Sequence, residues 1–202
     1  MDDETSDSGS GRPSLRDRRR VESMREIQAA AIELVGDRGF DAVTVGDIAS
    51  GVGVSESTVY RYFGTKERIF TWQDYEPDLH AALLRRLNEQ PPVDAVRDAY
   101  IEAVAPRYDD GQLARIVFVY QTPQVHTAAV EQSFLQHAVL SKAIEGAAGV
   151  DDLTAAVIAG ACITAADVAV DHWQQAEGRL ALDGLLAEAF DALRHAIPSG
   201  DA

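Results

Sequence analysis

The sequence has a single cysteine, Cys162, among its 202 residues. One thiol cannot form a disulfide within the chain or a multi-cysteine metal site, which excludes the zinc-finger classes of DNA-binding protein. No run approaches the roughly 18 consecutive apolar residues that a membrane span requires, so we expect no insertion into a membrane. The acidic start, Met1 to Glu4, lacks the basic segment and the apolar run of a secretory signal. We therefore expect a cytoplasmic protein.

Positive charge is also scarce, since 18 basic residues stand against 33 acidic ones and give a net charge of -15. Taken alone, this balance disfavours nucleic-acid binding, because DNA affinity rests largely on cations that meet phosphate. The excess of acid lies mainly in residues 71–202, which carry 20 acidic and 8 basic residues, whereas residues 12–70 carry 9 and 10. Any contact with nucleic acid should therefore involve the N-terminal third of the chain.

Apolar periodicity in this N-terminal third predicts three short helices. Apolar residues recur at three- and four-residue steps from Met24 to Val35, and Gly39 suits the position after a helix C-terminus. Thr44 has the hydroxyl of an N-cap and predicts a second helix, and Ser55 predicts a third in the same way. The rest of the chain also has helical periodicity, with breaks at proline and glycine. The sequence therefore predicts an all-α fold.

Three residues of the second and third predicted helices have the spacing of a helix-turn-helix. The small residue Ala49 permits a close helix crossing, Gly53 permits a positive φ in the turn, and Val59 fills the angle between the helices. Two helices that meet at such a turn are a common means of reading the DNA major groove. This spacing therefore predicts a DNA-binding head.

The longer stretch from Gly39 to Glu67, which contains GFDAVTVGDIA and VGVSESTVYRYFGTKE, resembles the N-terminal domain of the tetracycline-repressor (TetR) family. The resemblance implies an all-helical homodimer with a DNA-reading head and a C-terminal domain that binds a small effector and relieves repression. The two-fold symmetry of such a dimer predicts a partly palindromic operator, and the aromatic residues of the C-terminal part favour a largely apolar effector. We therefore expect a disordered arm over residues 1–19, a DNA-binding domain over 20–66, and an effector-binding and dimerisation domain over 67–202. No cofactor and no metal are expected.

The resemblance also implies which side chains meet DNA. Thr44 and Tyr62 resemble contacts to backbone phosphate, as does Lys66 at the start of a fourth helix. The candidates for contacts to base edges are on or beside the third helix: Ser55, Glu56, Ser57, Thr58, Tyr60 and Arg61. Arg61 suits a guanine and Glu56 suits cytosine N4. Glu56 is equally explained as an acid near a helix N-terminus. Tyr60 is also explained as a residue at the edge of the core or as a phosphate contact.

Arginines precede and open the first predicted helix: Arg12, Arg16, Arg18, Arg19, Arg20 and Arg25. One interpretation is a solvated basic tail. The other is an arm that lies along phosphate or enters the minor groove. The sequence leaves both open.

Two long apolar helices are predicted near the C-terminus, over residues 151–177 and 181–197. The first is apolar over most of its circumference and needs partners on two sides, and the second is amphipathic. Their positions match those of the dimer-forming helices of the family, so we predict a homodimer through both. A proline removes a hydrogen bond from the interior of a helix. We therefore predict that Tyr75 to Pro77 breaks or kinks the fourth helix.

Side chains that could line an effector cavity are spread over the intervening helices: Trp72, Tyr75, Tyr100, Phe118, Tyr120, Phe134 and Cys162. As a set they favour an apolar ligand cavity. Each of them, taken singly, is also explained as a core residue.

An enzyme is the alternative class of protein. His126, His137 and His172 could form a metal site or an acid–base site if the fold brought them together. No H-x3-H, E-x-x-H, phosphate loop or nucleophile motif accompanies these histidines. A purely structural helical protein is a further alternative, and it would leave the motif of residues 39–67 unexplained.

Overall fold

A computed structural model describes residues 14–196. The chain forms two compact units, Met1–Tyr62 and Phe63–Ala202. Within the described range the structure consists of α-helices, one short 3-10 helix and connecting turns, and no strand occurs there. The all-α prediction is therefore confirmed.

The first helix, α1, spans Leu15–Arg38 and starts earlier than the sequence suggested. Its start is fixed by a capping box, in which the Ser14 hydroxyl accepts the backbone N–H of Asp17 at 3.1 Å and the Asp17 carboxylate accepts the N–H of Ser14 at 3.2 Å. Residues 15–19, which we expected to be disordered, are therefore helical. The rest of the predicted arm, with Arg12, lies outside the described residues.

The next two helices, α2 (Val45–Gly51) and α3 (Glu56–Phe63), form the predicted helix-turn-helix. The Thr44 hydroxyl accepts the N–H of Asp47 at 3.0 Å, and the Ser55 hydroxyl accepts the N–H of Thr58 at 3.2 Å. Gly53 adopts a φ of 71° in the turn. The apolar side chains buried in this unit are Met24, Ile27, Ala31, Val35, Val43, Val45, Ile48, Ala49 and Val59. Helix caps and a small apolar core thus position the third helix.

The second unit contains seven described α-helices. They are α4 (Lys66–Thr71), α5 (Glu76–Leu87), α6 (Pro92–Ala103), α7 (Asp110–Gln121), α8 (Pro123–Ala148), α9 (Asp152–Gln175) and α10 (Leu182–Ala196). The predicted break in the fourth helix is confirmed, because Trp72 is extended and a new helix begins at Glu76. Pro77 falls in the first turn of α5, where a missing N–H costs no helical hydrogen bond.

Helix α9 contributes one long face to the core of this unit and packs against α6, α8 and α10. Its buried residues include Ala155, Ala159, Cys162, Ala166 and Trp173. By length and composition alone, α9 is apolar enough to cross a membrane, with a mean hydropathy of 2.0. An uninterrupted apolar run, the criterion applied to the sequence, does not detect this property, because polar residues are spaced along α9. The core helices of water-soluble folds have the same composition. One face of α9 is likewise buried against neighbouring helices of its own unit.

The two C-terminal helices differ in the use of their apolar faces. On α10, Leu186 and Phe190 are fully buried within the chain. On α9, by contrast, Leu153, Val157 and Val168 are exposed, the second of them to 62%. Leu182, Leu186 and Phe190 of α10 are thus already buried within one chain and need no partner chain, and a homodimer through residues 181–197 stays a prediction. The exposed stripe of α9, formed by Leu153, Val157 and Val168, is not buried by any other described residue of the chain.

Candidate DNA interface and effector cavities

The third helix presents most of its predicted base-reading side chains to solvent. Ser55, Ser57 and Arg61 are exposed, and Thr58 is half-buried. The Ser55 hydroxyl lies 2.9 Å from the hydroxyl of Ser57 and 2.9 Å from that of Thr58. Tyr60 is 49% exposed and is therefore a surface residue rather than a core residue. Several polar groups are thus free to meet a partner at the start and on the outer face of α3.

Glu56 is exposed, but its carboxylate rests against α2. A Cβ atom added at Gly46 would lie only 2.6 Å from Oε1 of Glu56, so a larger residue at this position would displace the carboxylate. The carboxylate lies beside the first turn of α2, where an acid is stabilised by the helix dipole. This placement favours the structural explanation of Glu56 over a contact with cytosine.

The hydroxyl of Thr44 is engaged in the cap of α2. It donates to the carboxylate of Asp47 at 2.7 Å, and the same carboxylate accepts the backbone N–H of Thr44 at 2.8 Å. These two hydrogen bonds lower the pKa of Asp47. Thr44 remains exposed, so its position still allows an approach to phosphate.

Tyr62 lies between two arginines. The guanidinium carbon of Arg20 on α1 is 5.5 Å from the centre of its ring, and that of Arg61 on α3 is 5.2 Å away. Both distances fit cation–π contacts. The sequence left Arg20 open between a solvated basic tail and an arm on DNA, and it did not link this residue to Tyr62.

Lys66 is half-buried at the first turn of α4. The hydroxyl of Thr65 caps this helix by accepting the N–H of Arg68 at 3.3 Å. Only two residues connect the end of the third helix to Lys66.

Two cavities lie within the second unit. The first, called here the apolar cavity, has a volume of about 280 Å³ and is walled by α5, α6, α8 and α9, with Leu79, Leu83 and Leu135 among its side chains. The second, the polar cavity, has a volume of about 210 Å³ and is lined by Tyr108, Arg115 and other polar residues. Their lining, apolar side chains with a few polar groups, is typical of sites for small molecules.

The seven predicted ligand-binding residues are divided by the structure. Tyr75 and Tyr120 line the polar cavity, and Tyr100 lines both cavities. The other four, Trp72, Phe118, Phe134 and Cys162, are not among the residues that line either cavity.

Each of these four has another environment. Trp72 packs edge-on against Phe63 at 6.0 Å, and Phe118 packs against Phe70 at 4.9 Å. Phe134 is 75% exposed. Cys162 is buried in the core, and burial raises the pKa of its thiol to about 12, so it is an unreactive packing residue.

Two charged residues of the polar cavity, Arg115 and Asp167, were not among the predicted ligand-binding residues. Arg115 is 2% exposed and donates from Nη1 to the Phe70 carbonyl oxygen and from Nη2 to Oε1 of Gln73, both at 2.9 Å. Asp167 lines the same cavity, and burial raises the pKa of its carboxyl to about 6. Asp167 is nevertheless exposed, so only part of its side chain faces the cavity. The sequence does contain one indication of this site, because Asp167 is a charged residue within the apolar middle of α9.

The three histidines on which the enzyme hypothesis depends do not form a common site. His126 packs against Tyr120 at 5.6 Å, whereas Nε2 of His137 lies 2.9 Å from the carbonyl oxygen of Ala156. His172 is exposed on α9. Within residues 14–196, no group of three or more His, Cys, Asp or Glu side chains could hold a metal ion.

A helix-turn-helix with an exposed recognition helix, followed by a helical unit with cavities, defines a DNA-binding transcriptional regulator. Residues 27–71 match the bacterial regulatory proteins of the TetR family, and residues 90–198 match the MftR C-terminal domain. The chain belongs to the TetR family. The predicted family is thereby confirmed, and the chain is a transcriptional regulator, not an enzyme.

Curated relatives from Mycobacterium tuberculosis cover most of the chain. One is assigned as the mycofactocin biosynthesis transcriptional regulator MftR and is 28% identical over 187 residues, which are 87% of this chain and 91% of the relative. Another, the HTH-type transcriptional repressor Rv3405c, is 28% identical over 174 residues, which are 68% of this chain and 86% of the relative.

Solved structures share the fold at low identity. FadR from Thermus thermophilus, a TetR-family repressor determined in complex with lauroyl-CoA, matches with a TM-score of 0.51 and 20% identity over 89% of this chain and 97% of that chain. The fatty acid degradation regulator FadR from Bacillus halodurans matches with a TM-score of 0.50 and 18% identity over 85% and 94%.

Proposed function

We propose that this regulator is a repressor that binds a palindromic operator as a homodimer and is released by a small, largely apolar effector. The observation that carries the proposal is the contact of Arg115 with Phe70 and Gln73, because it joins the wall of the polar cavity to the end of α4. The similarity to a named repressor supports the sign of the regulation.

In the DNA-binding head, we propose that Arg61 and the hydroxyl residues near the start of α3 contact base edges. Thr44, Tyr62 and Lys66 contact phosphate, and Arg20 joins them because it lies over the ring of Tyr62. An arginine that stacks on a tyrosine ring keeps its outer N–H groups available to a phosphate. This assignment replaces the two interpretations that the sequence left open for Arg20, a solvated tail or an arm on DNA, with a contact from a helix.

The dimer forms through the exposed stripe of α9, with the part-exposed surface of α10 beside it. Three large aliphatic side chains are exposed on α9, and a two-fold axis would pair this stripe with itself in a second copy. The two recognition helices would then reach successive major grooves about 34 to 36 Å apart, which requires a partly palindromic operator.

The effector acts through α4. This helix packs against α7 and α8, and its start is joined to the recognition helix by two residues. A ligand that shifts Arg115 or Gln73 changes the position of α4 and with it the spacing of the two heads. A coupling free energy of about 1 to 3 kcal/mol, roughly 5- to 150-fold in operator affinity, is enough for a genetic switch.

The deciding experiment is selection of bound sequences from random duplex DNA with the full chain. We expect enrichment of a palindrome whose half-sites are one helical turn apart. The Arg61→Ala variant should select a less defined sequence, and Arg179→Ala, which removes an exposed arginine of the second unit, serves as the control. Failure of the unmutated chain to enrich any sequence would contradict the proposal.

A further inference from the structure

Arg115 is a buried positive charge that has no acidic partner. Its side chain is 2% exposed, and an arginine stays protonated in a folded protein. Three half-buried arginines of the second unit, Arg86, Arg97 and Arg107, each form an ion pair with an aspartate. Within residues 14–196 the structure shows no ion pair for Arg115. A buried charge without a counter-ion is costly, so this position favours a negative group that comes from outside the chain.

The hydrogen bonds of Arg115 use only part of its donor capacity. Nε donates to Oε1 of Gln112 at 2.8 Å, and Nη1 and Nη2 donate to the Phe70 carbonyl oxygen and to Oε1 of Gln73, both at 2.9 Å. All three acceptors are neutral, so they orient the guanidinium but do not neutralise its charge. Each Nη carries two N–H groups and has one acceptor among the described residues, so a second N–H on each is available to a carboxylate.

Arg115 is one of the residues that line the polar cavity, and no other arginine or lysine is among the described residues that do so. Hydroxyl groups of Thr71, Tyr108 and Ser133 also line this cavity and can donate hydrogen bonds to an anion, and Ile116 is among its apolar residues. The volume, about 210 Å³, is below the roughly 300 to 1,000 Å³ of cavities for drug-sized molecules. The lining therefore suits a small molecule with one negative group and an apolar body.

Asp167 places a negative charge at the same cavity, but the two charges differ in their exposure to water. Asp167 is exposed, so solvent screens its carboxylate, whereas Arg115 is buried and is screened much less. The described residues show no ion pair between these two side chains, so Asp167 does not occupy the place of a ligand at the guanidinium. An anion beside Arg115 is therefore attracted by the arginine more strongly than it is repelled by Asp167.

We propose that the polar cavity binds a small organic monocarboxylate, whose carboxylate accepts hydrogen bonds from Nη1 and Nη2 of Arg115 and whose apolar body lies against the rest of the lining. One positive charge matches one carboxylate, whereas a phosphonate dianion would keep an unpaired charge. Binding of this ligand does not depend on the proposed function, but its role as the effector rests on it. In that role the ligand acts directly on the guanidinium that contacts the end of α4.

Calorimetric titration of the full chain with ring compounds of similar size tests this charge preference. The probes at pH 7.5 are benzoate, its neutral isostere benzamide, the cation benzylamine and the mainly dianionic phenylphosphonate. We expect benzoate to bind at least about tenfold more tightly than benzamide, because a charge-assisted pair with a buried guanidinium is stronger than a neutral hydrogen bond. Benzylamine and phenylphosphonate should bind more weakly than benzoate. The inference is overturned if benzoate does not bind, or if any of the other three probes binds as tightly.

Three variants test the charges at the cavity. Arg115→Met should abolish the preference for benzoate over benzamide. Asp167→Asn should tighten the binding of benzoate by up to about fivefold, the effect of an exposed charge, and leave benzamide unchanged. Asp152→Asn is its matched control, because Asp152 is exposed in the first turn of α9 and is not among the residues that line either cavity. An unchanged preference in Arg115→Met, or weaker binding of benzoate in Asp167→Asn, would contradict the assignment.

A further pair of variants tests the cavity without changing Arg115, whose replacement also removes buried hydrogen bonds. Ser133 lines the polar cavity from α8, whereas Ser141, half-buried on the same helix, lines neither cavity. Ser133→Leu should fill the cavity and abolish the binding of benzoate and benzamide alike while the helical content is retained. Ser141→Leu should bind both probes as the unmutated chain does. Unchanged affinity for benzoate in Ser133→Leu would place the anion elsewhere and refute the site.

Operator affinity, measured separately on the selected DNA with and without benzoate, keeps the two proposals distinct. If the protein binds its operator but does not prefer benzoate to benzamide, the carboxylate site is wrong and the regulator stands. If benzoate binds through Arg115 but operator affinity does not change, the site stands and its role as the effector site is wrong. If benzoate binds through Arg115 and no operator is selected, the site stands and the proposed function fails.

Discussion

Nη1 of Arg115, on α7, donates a hydrogen bond of 2.9 Å to the main-chain oxygen of Phe70, which lies near the end of α4. Both residues are buried, so water cannot take the place of either partner. The contact links a wall of the polar cavity to the helix that follows the recognition helix. It therefore serves both the stability of the second unit and the proposed transmission of the effector signal.

Replacing Arg115 with Met should lower the free energy of unfolding by about 1 to 3 kcal/mol, because it removes the hydrogen bonds that this buried guanidinium donates to the oxygen of Phe70 and to Oε1 of Gln73. Denaturant unfolding at constant pH measures the change. Arg179→Met, at an exposed position, should stay within about 0.5 kcal/mol of the unmutated chain. An unchanged midpoint for Arg115→Met would show that the buried guanidinium is not structural.

Arg20→Ala should weaken binding to all DNA sequences alike, since we assign Arg20 to phosphate. The slope of the logarithm of affinity against the logarithm of salt concentration should fall by about 1. Arg61→Ala should instead relax the preference at one or two base pairs by about 1 to 3 kcal/mol each. Titrations of specific and scrambled duplexes at several salt concentrations separate the two effects. A sequence-dependent loss in Arg20→Ala would refute its assignment to phosphate.

Val157→Glu should dissociate the dimer, because it places a charge in the middle of the exposed stripe of α9. Light scattering at micromolar concentration should then give the mass of one chain with the helical content retained. Phe134→Glu, at an equally exposed apolar position on α8, is the matched variant and should remain dimeric. If Phe134→Glu dissociates the protein and Val157→Glu does not, the interface lies on α8.

The variant Leu186→Glu tests whether α10 is buried within one chain or in the interface of a dimer. Since Leu186 is fully buried in the core of one chain, the substitution should unfold the second unit rather than release folded monomers. Circular dichroism and light scattering together separate these results. A folded monomer would show that α10 is covered by the partner after all.

The DNA-binding head could be predicted from the sequence because its determinants are local. The cap at Thr44, the turn at Gly53 and the buried Val59 each follow from neighbours within a few residues. The cavities could not be predicted in this way. Phe118 and Tyr120 lie two residues apart on α7, yet only Tyr120 lines a cavity, since this is decided by the rotation of α7 against its neighbours.

Burial disfavours the ionised form of Asp167. This predicts how the stability of the ligand-free protein depends on pH. The carboxyl has a pKa of about 6 in the folded chain, above its ordinary value of 3.8, so the unfolded chain releases this proton more readily. The contribution of Asp167 to stability is therefore most favourable below pH 3.8 and is lost as the pH rises through about 6. Asp167→Asn, which cannot ionise, should accordingly stabilise the ligand-free protein at pH 7.5 and have less effect at pH 4. Denaturant unfolding at the two pH values, with Asp152→Asn as the control, measures the difference. A stabilisation by Asp167→Asn that is equal at both pH values would mean that ionisation of this carboxyl costs the folded state nothing.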